Sequence, residues 1–142
     1  MGIAFVFDGQ GAQWTGMGKA LSEASVAAKA VCDMADSIRP ATSAQCFEGG
    51  REELADTATT QPCLYTVTLA AAMALTDQGL TPTCLAGFSL GELSALAFAG
   101  GMSHEEGLRL TITRGRLMAD EAGRYPGAMA AVIGLTAADV EA

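Results

Sequence analysis

The sequence predicts an α/β domain, and three observations carry that prediction. Ile3 to Phe7 (IAFVF) is a continuous apolar run with β-branched and aromatic members, the pattern of a strand covered on both faces. Thr83 to Ala86 reads as a second short strand, which turns sharply through Gly87 to Gly91 into a helix over Glu92 to Ala99. Between the two strands lie proline-poor, alanine-rich segments of helical composition.

Taken in order, the first strand is followed by a polar, glycine-rich loop from Asp8 to Gly16 and a helix over Met17 to Met34. Arg39 to Ala58, with Pro40 and Gly49-Gly50, reads as a connector holding short helical pieces. Thr60 is placed to cap the next helix, with Pro62 in its first turn, where a missing N–H costs little. That helix, Cys63 to Gln78, stops at Gly79, with Pro82 close behind. Gly100-Gly101 ends the helix after the elbow. Ser103 and Glu106 have capping-box spacing and open a helix to about Ala122, and Gly123 and Pro126 then break the chain. Ala128 to Gly134 (AMAAVIG) is another buried-strand candidate. Thr136 and Asp139 repeat the capping spacing one turn before the chain ends. One turn of helix is not stable alone, so the expectation is the front part of a longer protein.

Composition excludes several functions. With 142 residues the chain can bury one core but not two. Half of it is hydrophobic and 17% is charged, which excludes disorder for its bulk. A net charge of −8 gives no attraction to phosphate backbones, so no nucleic acid is expected as a partner. The most apolar stretch, Leu64 to Leu75, is interrupted by Tyr65, Thr66 and Thr68 and falls short of the ~20 residues of a membrane span. No CxxC pair exists among Cys32, Cys46, Cys63 and Cys84, and His104 is the single histidine, so no metal site is expected. Cys32, Cys63 and Cys84 read as small buried thiols. No basic segment leading into an apolar one opens the chain, which fits a cytoplasmic protein.

Three features carry chemistry. Gly87-Phe88-Ser89-Leu90-Gly91 fits G-x-S-x-G between a strand and a helix, the context of a nucleophile elbow. The turn sets Ser89 at a helix N-terminus, where unpaired N–H groups and the helix dipole favour a developing oxyanion. Gly9-Gln10-Gly11-Ala12-Gln13 allows close backbone approach to a ligand but lacks the third glycine of a dinucleotide fingerprint and the GK[ST] of a P-loop. Arg114 stands apart on its helix. Arg109 has Glu105 and Glu106 in reach and Arg116 has Asp120, whereas Arg114 has only Leu110, Thr111, Leu117 and Met118. Such an arginine either reaches to water or meets an anion from elsewhere.

These residues bring a family into view. Phe5 to Trp14 (FVFDGQGAQW) resembles the FVFPGQGxQ opening of malonyl-CoA:acyl carrier protein transacylases and of polyketide synthase acyltransferase domains. Thr60-Gln61-Pro62 is similar to their TQP segment, Gly87 to Glu92 (GFSLGE) to their GHSLGE elbow, Arg114-Gly115 to the RG that follows, and Gly127 to Leu135 to the next strand. The resemblance implies an α/β-hydrolase-like core, its first part at residues 1–125, and the start of a ferredoxin-like small subdomain at 126–142. It implies Ser89 as the nucleophile that accepts a malonyl or similar carboxylated acyl group from coenzyme A. It implies the backbone amides of Gln10 and Leu90 as the oxyanion hole and Arg114 as the partner of the acyl carboxylate, with Gln61 and Phe88 in supporting positions. The phosphopantetheine thiol of an acyl carrier protein would then take the acyl group, in fatty acid or polyketide synthesis. Coenzyme A enters as part of the substrate, malonyl-CoA, and no separate cofactor is implied.

Two substitutions fall inside these motifs. Phe88 stands where the family has histidine, bringing a large ring to the mouth of the site. Asp8 stands where it has proline, bringing a negative charge toward the oxyanion hole. The family's histidine base lies in the second half of its domain, and His104 reads as a solvent-exposed helix-start residue. The 142 residues alone are therefore expected to turn over poorly. A serine hydrolase or thioesterase with the same elbow and an inactive truncated fragment remain as alternatives.

Overall fold

The computed structural model describes residues 2–125, 127 and 132–141. Strand β1 (Ala4–Phe7) leads through a loop to helices α1 (Lys19–Ala24), α2 (Val26–Ile38) and α3 (Thr42–Glu48). A single 3-10 turn (Glu53–Ala55) precedes the long helix α4 (Thr57–Asp77). Strand β2 (Cys84–Gly87), α5 (Leu90–Phe98), α6 (His104–Arg124) and the short α7 (Ala137–Glu141) follow. The two strands pair in parallel, with Ala4 opposite Cys84 and Phe7 opposite Gly87. A parallel pair needs a long crossover, and α1 to α4 supply it.

Helix α4 is the axis of the fold. Its N-terminal half, Thr59 to Thr66, is buried on every face, because α2, α3, α5 and α6 all pack against it. Small residues allow the close approach: Ala28 and Ala35 of α2 meet Tyr65, Leu69 and Ala70 of α4, with Leu108 of α6 closing the cluster. Phe98 of α5 lies 5.7 Å from Phe5 and 5.9 Å from Phe7, ring centre to ring centre, and ties the sheet to the helices.

The structure corrects the sequence reading at several points. The sheet is covered on one face, by α4 and α5, and not on both: Phe5 and Phe7 are buried, whereas Val6 is 71% exposed. Cys84 shares that open side and is exposed, and it is Cys46 that joins Cys32 and Cys63 as a buried thiol. The single helix expected over Met17 to Met34 is two helices. Ser25 takes an extended conformation (φ −128°, ψ 122°), and its hydroxyl accepts from the Ala28 N–H to cap α2. Helix α4 starts earlier than Thr60, because the Asp56 carboxylate already accepts from the Thr59 N–H; the Thr60 hydroxyl instead donates back to the Asp56 carbonyl at 2.9 Å. Pro62 consequently lies inside the helix.

Helix α6 passes through Gly123 without a break and carries the predicted capping box, Ser103 with Glu106. Glu106 is thereby engaged with Ser103, and neither Arg109 nor Arg116 forms its expected ion pair among the described residues. His104 is half-buried rather than solvent-exposed, and its carbonyl accepts the Tyr65 hydroxyl at 2.9 Å. That bond fixes the start of α6 on α4; burial raises the Tyr65 pKa. Of the strand expected over Ala128 to Gly134, Ala128 to Ala131 lie outside the described residues, and Val132 and Ile133 are exposed and in no strand. Thr136 and Asp139 do cap α7.

Candidate active site

The site is built where β2 turns into α5. The turn brings the backbone of the elbow against β1 so closely that side chains would not fit. A Cβ on Gly91 would lie 2.1 Å from the Phe7 carbonyl oxygen, and one on Gly87 would lie 2.3 Å from the Glu92 nitrogen. Ser89, between them, takes φ 51° and ψ −101°, a conformation that costs a non-glycine residue about 1–3 kcal/mol. Its side chain makes no capping bond. The hydroxyl is turned instead into a cleft of about 630 Å3.

Helix α6 delivers Arg114 to that hydroxyl. Gly115 makes the approach possible: a Cβ there would sit 3.1 Å from the Thr57 carbonyl and 3.3 Å from the Ala58 Cα, so α6 rests directly on the start of α4. The Arg114 Nη2 donates to Ser89 Oγ at 3.0 Å, and its Nη1 donates to Gln61 Oε1 at 2.6 Å. Gln61 is fully buried, and its amide nitrogen donates to Thr57 Oγ1 at 3.0 Å and to the Met118 sulfur at 3.1 Å. The Thr57 hydroxyl donates in turn to Gln10 Oε1 at 2.8 Å. One connected series thus runs from Ser89 through Arg114, Gln61 and Thr57 to Gln10. The Gln61 amide is satisfied on both ends, so the guanidinium is held in one orientation.

Gln10, Phe88, Ser89 and Arg114 line the cleft, Gln61 backs Arg114, and Leu90 is the first residue of α5. The backbone N–H groups of Gln10 and Leu90 have no hydrogen-bond acceptor among the described residues. An unpaired amide next to a serine at a helix start can receive negative charge. Phe88, 72% exposed, stands at the cleft's edge as anticipated. Asp8 does not: it lines a separate groove along β1 with Val6, Thr68 and Leu75, so its carboxylate is not among the groups facing Ser89. His104 does not line the cleft either. Thr57 and Met118 were missed from sequence. Each lies four residues from a partner in the site, Thr57 from Gln61 and Met118 from Arg114, and that spacing on a shared helix face was the available signal.

Among the described lining residues, Arg114 is the single charged side chain. In a chain of net charge −8, this lone, oriented guanidinium beside a strained serine presents a cation to an anionic group entering the cleft. Among the described residues no cluster could hold a metal ion, and no helix is long and apolar enough to cross a membrane.

The chain belongs to the acyl transferase domain family, whose model matches residues 4–141. It is 43% identical over 136 residues to the malonyl CoA-acyl carrier protein transacylase of Bacillus subtilis, a match covering 95% of this chain and 43% of that protein. Among solved structures it is similar to an acyl-carrier-protein-S-malonyltransferase from Bartonella henselae, at TM-score 0.84 and 38% identity, over 99% of this chain and 46% of the other. It is also similar to a malonyl-transacylase solved in complex with a type II polyketide synthase acyl-carrier protein, at TM-score 0.79 and 34% identity, over 84% of this chain and 40% of the other. The chain thus spans less than half the length of these relatives.

Proposed function

We propose that this chain carries the nucleophile and carboxylate-binding half of an acyltransferase that moves a malonyl, or similar carboxylated, acyl group from coenzyme A to the phosphopantetheine thiol of acyl carrier protein. The observation that carries the reading is the 3.0 Å bond between the Arg114 guanidinium and Ser89 Oγ, with Gln61 holding the other side of the fork. A malonyl carboxylate replaces the serine hydroxyl as the guanidinium's partner when the thioester enters. That exchange frees Oγ and sets the acyl carbonyl beside it.

Ser89 Oγ then attacks the thioester carbonyl, and the negative charge on the carbonyl oxygen is received by the Gln10 and Leu90 amides. The C–S bond breaks, coenzyme A leaves as its thiol with the serine proton, and an ester remains on Ser89. The carrier protein's thiol attacks that ester, gives up its proton, and Ser89 regains its hydroxyl. The proton is carried by a histidine base, which the family resemblance implies and the described residues do not supply. The chain's relatives include a transacylase bound to its carrier protein, which supports that partner here. A serine ester needs no metal or organic cofactor, so coenzyme A enters as substrate alone. We read residues 1–125 as the front of an α/β-hydrolase-like core, 126–142 as the start of a ferredoxin-like subdomain, and the cytoplasm as the place of the reaction.

Mixing the complete enzyme with malonyl-CoA, quenching and mapping peptides by mass tests this. The expected result is a malonyl ester on the Ser89 peptide that disappears when carrier protein with its phosphopantetheine arm is added. No adduct on that peptide, or release of free malonate faster than transfer, contradicts it; the second outcome describes a hydrolase.

A further inference from the structure

A second cleft, of about 480 Å3, opens next to the active site and shares Gly11 and Gln13 with it. Its volume lies within the ~300–1,000 Å3 of small-molecule sites. Leu54 and Ala55 line it, and Trp14 and Arg51 are its aromatic and its charged side chain. Trp14, the only tryptophan in the chain, is 63% exposed. Its segment is nonetheless fixed: the Thr15 hydroxyl donates to the Gly49 carbonyl at 2.7 Å, and the Gly16 N–H donates to the Cys46 carbonyl at 3.0 Å.

The cations of this acidic chain are mostly engaged. Lys19, Lys29 and Arg124 pair with carboxylates, and Arg39 and Arg114 bond neighbouring side chains. Arg109 and Arg116 are exposed on α6. Arg51 has no partner among the described residues, and it faces a cleft that also holds an exposed indole. Of the two carboxylates that follow Arg51, Glu52 is exposed and Glu53 is engaged, accepting from the Gln45 amide at 2.8 Å.

We propose that this cleft binds the 3′-phospho-ADP end of the coenzyme A thioester, with the adenine on the Trp14 ring and a phosphate on Arg51. The inference rests on the reading of Ser89 as acceptor from a coenzyme A thioester and adds where the far end of that thioester lies. An aromatic plane and a planar cation lining one cleft match a purine and its phosphate. The shared Gly11 and Gln13 let one extended ligand run from Ser89 to Trp14 across backbone. The phosphodiester of a carrier protein would engage Arg51 but leave the indole without a ring to stack on, which is why the nucleotide is favoured.

The test compares malonyl-CoA with malonyl-pantetheine, which lacks the nucleotide, as acyl donors to the complete enzyme, and measures binding of adenosine 3′,5′-bisphosphate by calorimetry. For Arg51→Ala and Trp14→Ala the malonyl-CoA KM should rise about tenfold with kcat little changed, while the malonyl-pantetheine KM stays constant. Bisphosphate binding should weaken by a similar factor, and Arg51→Lys and Trp14→Phe should recover part of it. Arg109→Ala, which removes the same charge from α6, should alter neither donor. Equal rises for both donors would show that these residues only support the loop, and would overturn the proposal. Unchanged values for both would do the same. A loss confined to the carrier-protein step would give the cleft to the carrier protein and overturn it as well. Failure of both thioesters to acylate Ser89 in the unaltered enzyme would instead remove the acyltransferase reading, while bisphosphate binding still reports on the cleft alone.

Discussion

Two serines stand at the starts of consecutive helices, and they are used in opposite ways. Ser103, before α6, is relaxed (φ −68°, ψ 156°); its hydroxyl accepts from the Glu106 N–H while Glu106 reaches back to the Ser103 N–H. Ser89, before α5, is held at φ 51° and makes no bond to its own helix. The first satisfies the orphan amides of a helix end. The second leaves the Leu90 amide free, with backbone carbonyls taking the Gly91 and Glu92 N–H groups, and presents its oxygen to a guanidinium carried 25 residues further along the chain. A serine that stabilises a helix gives up its hydroxyl to do so. A serine kept for chemistry must have its helix stabilised by other means, here by the burial of Leu90, Gly91, Ser94 and Ala97 against the rest of the fold.

The contrast can be broken at either serine. Ser89→Ala should abolish acylation, by at least about 10³-fold, with the fold intact. Ser89→Gly should be equally inactive yet more stable in denaturant melts by up to about 1 kcal/mol, because glycine accepts the positive φ. Gln61→Leu comes next. It removes the acceptor that orients Arg114 and leaves the Thr57 hydroxyl without its donor, so malonyl transfer should fall about tenfold or more, expressed mainly in kcat/KM. The smallest effect belongs to Ser103→Ala, which should leave acylation unchanged and lower the melting temperature by a few degrees. That loss should depend on pH. Hydrogen bonds from the Ser103 N–H and hydroxyl hold the Glu106 carboxyl below its usual pKa. A lowered native pKa stabilises the fold above the unfolded value of about 4.3 and ceases to do so as pH falls through the native one. The gap between the wild type and Ser103→Ala should therefore be full at neutral pH and narrow in acid to what the Glu106 N–H bond to the Ser103 hydroxyl contributes.

Much of the site was legible in one dimension because its chemistry is local. The spacing of Gly87, Ser89 and Gly91 determines a turn wherever it occurs between strand and helix, and Arg114 was exposed by the lack of any carboxylate within a helical turn of it. What stayed hidden lies between elements. The contact of Gln61 with Met118 spans 57 positions, and nothing in either neighbourhood announces it. Asp56 and Thr60 are both good capping residues, and the choice went to Asp56 because its carboxylate reaches the Thr59 N–H and hydroxyl together. The presence of Pro62 pointed to a later start, because proline prefers a first turn; α4 accommodates it deep inside a helix packed on all sides. Apolar composition likewise could not say how many faces of β1 are covered, since Val6 differs little in type from its buried neighbours.

The central claim is that Arg114 exists to hold a carboxylate next to Ser89. Competition between malonyl-CoA and acetyl-CoA for acylation of Ser89, read by mass in the complete enzyme and in Arg114→Ala, tests it most directly. The wild type should favour malonyl, and the variant should lose at least about tenfold of that preference, chiefly through slower malonylation, with acetyl no worse or better than before. If both acyl groups slow by the same factor and the preference survives, the guanidinium serves the serine alone and the carboxylate is recognised elsewhere.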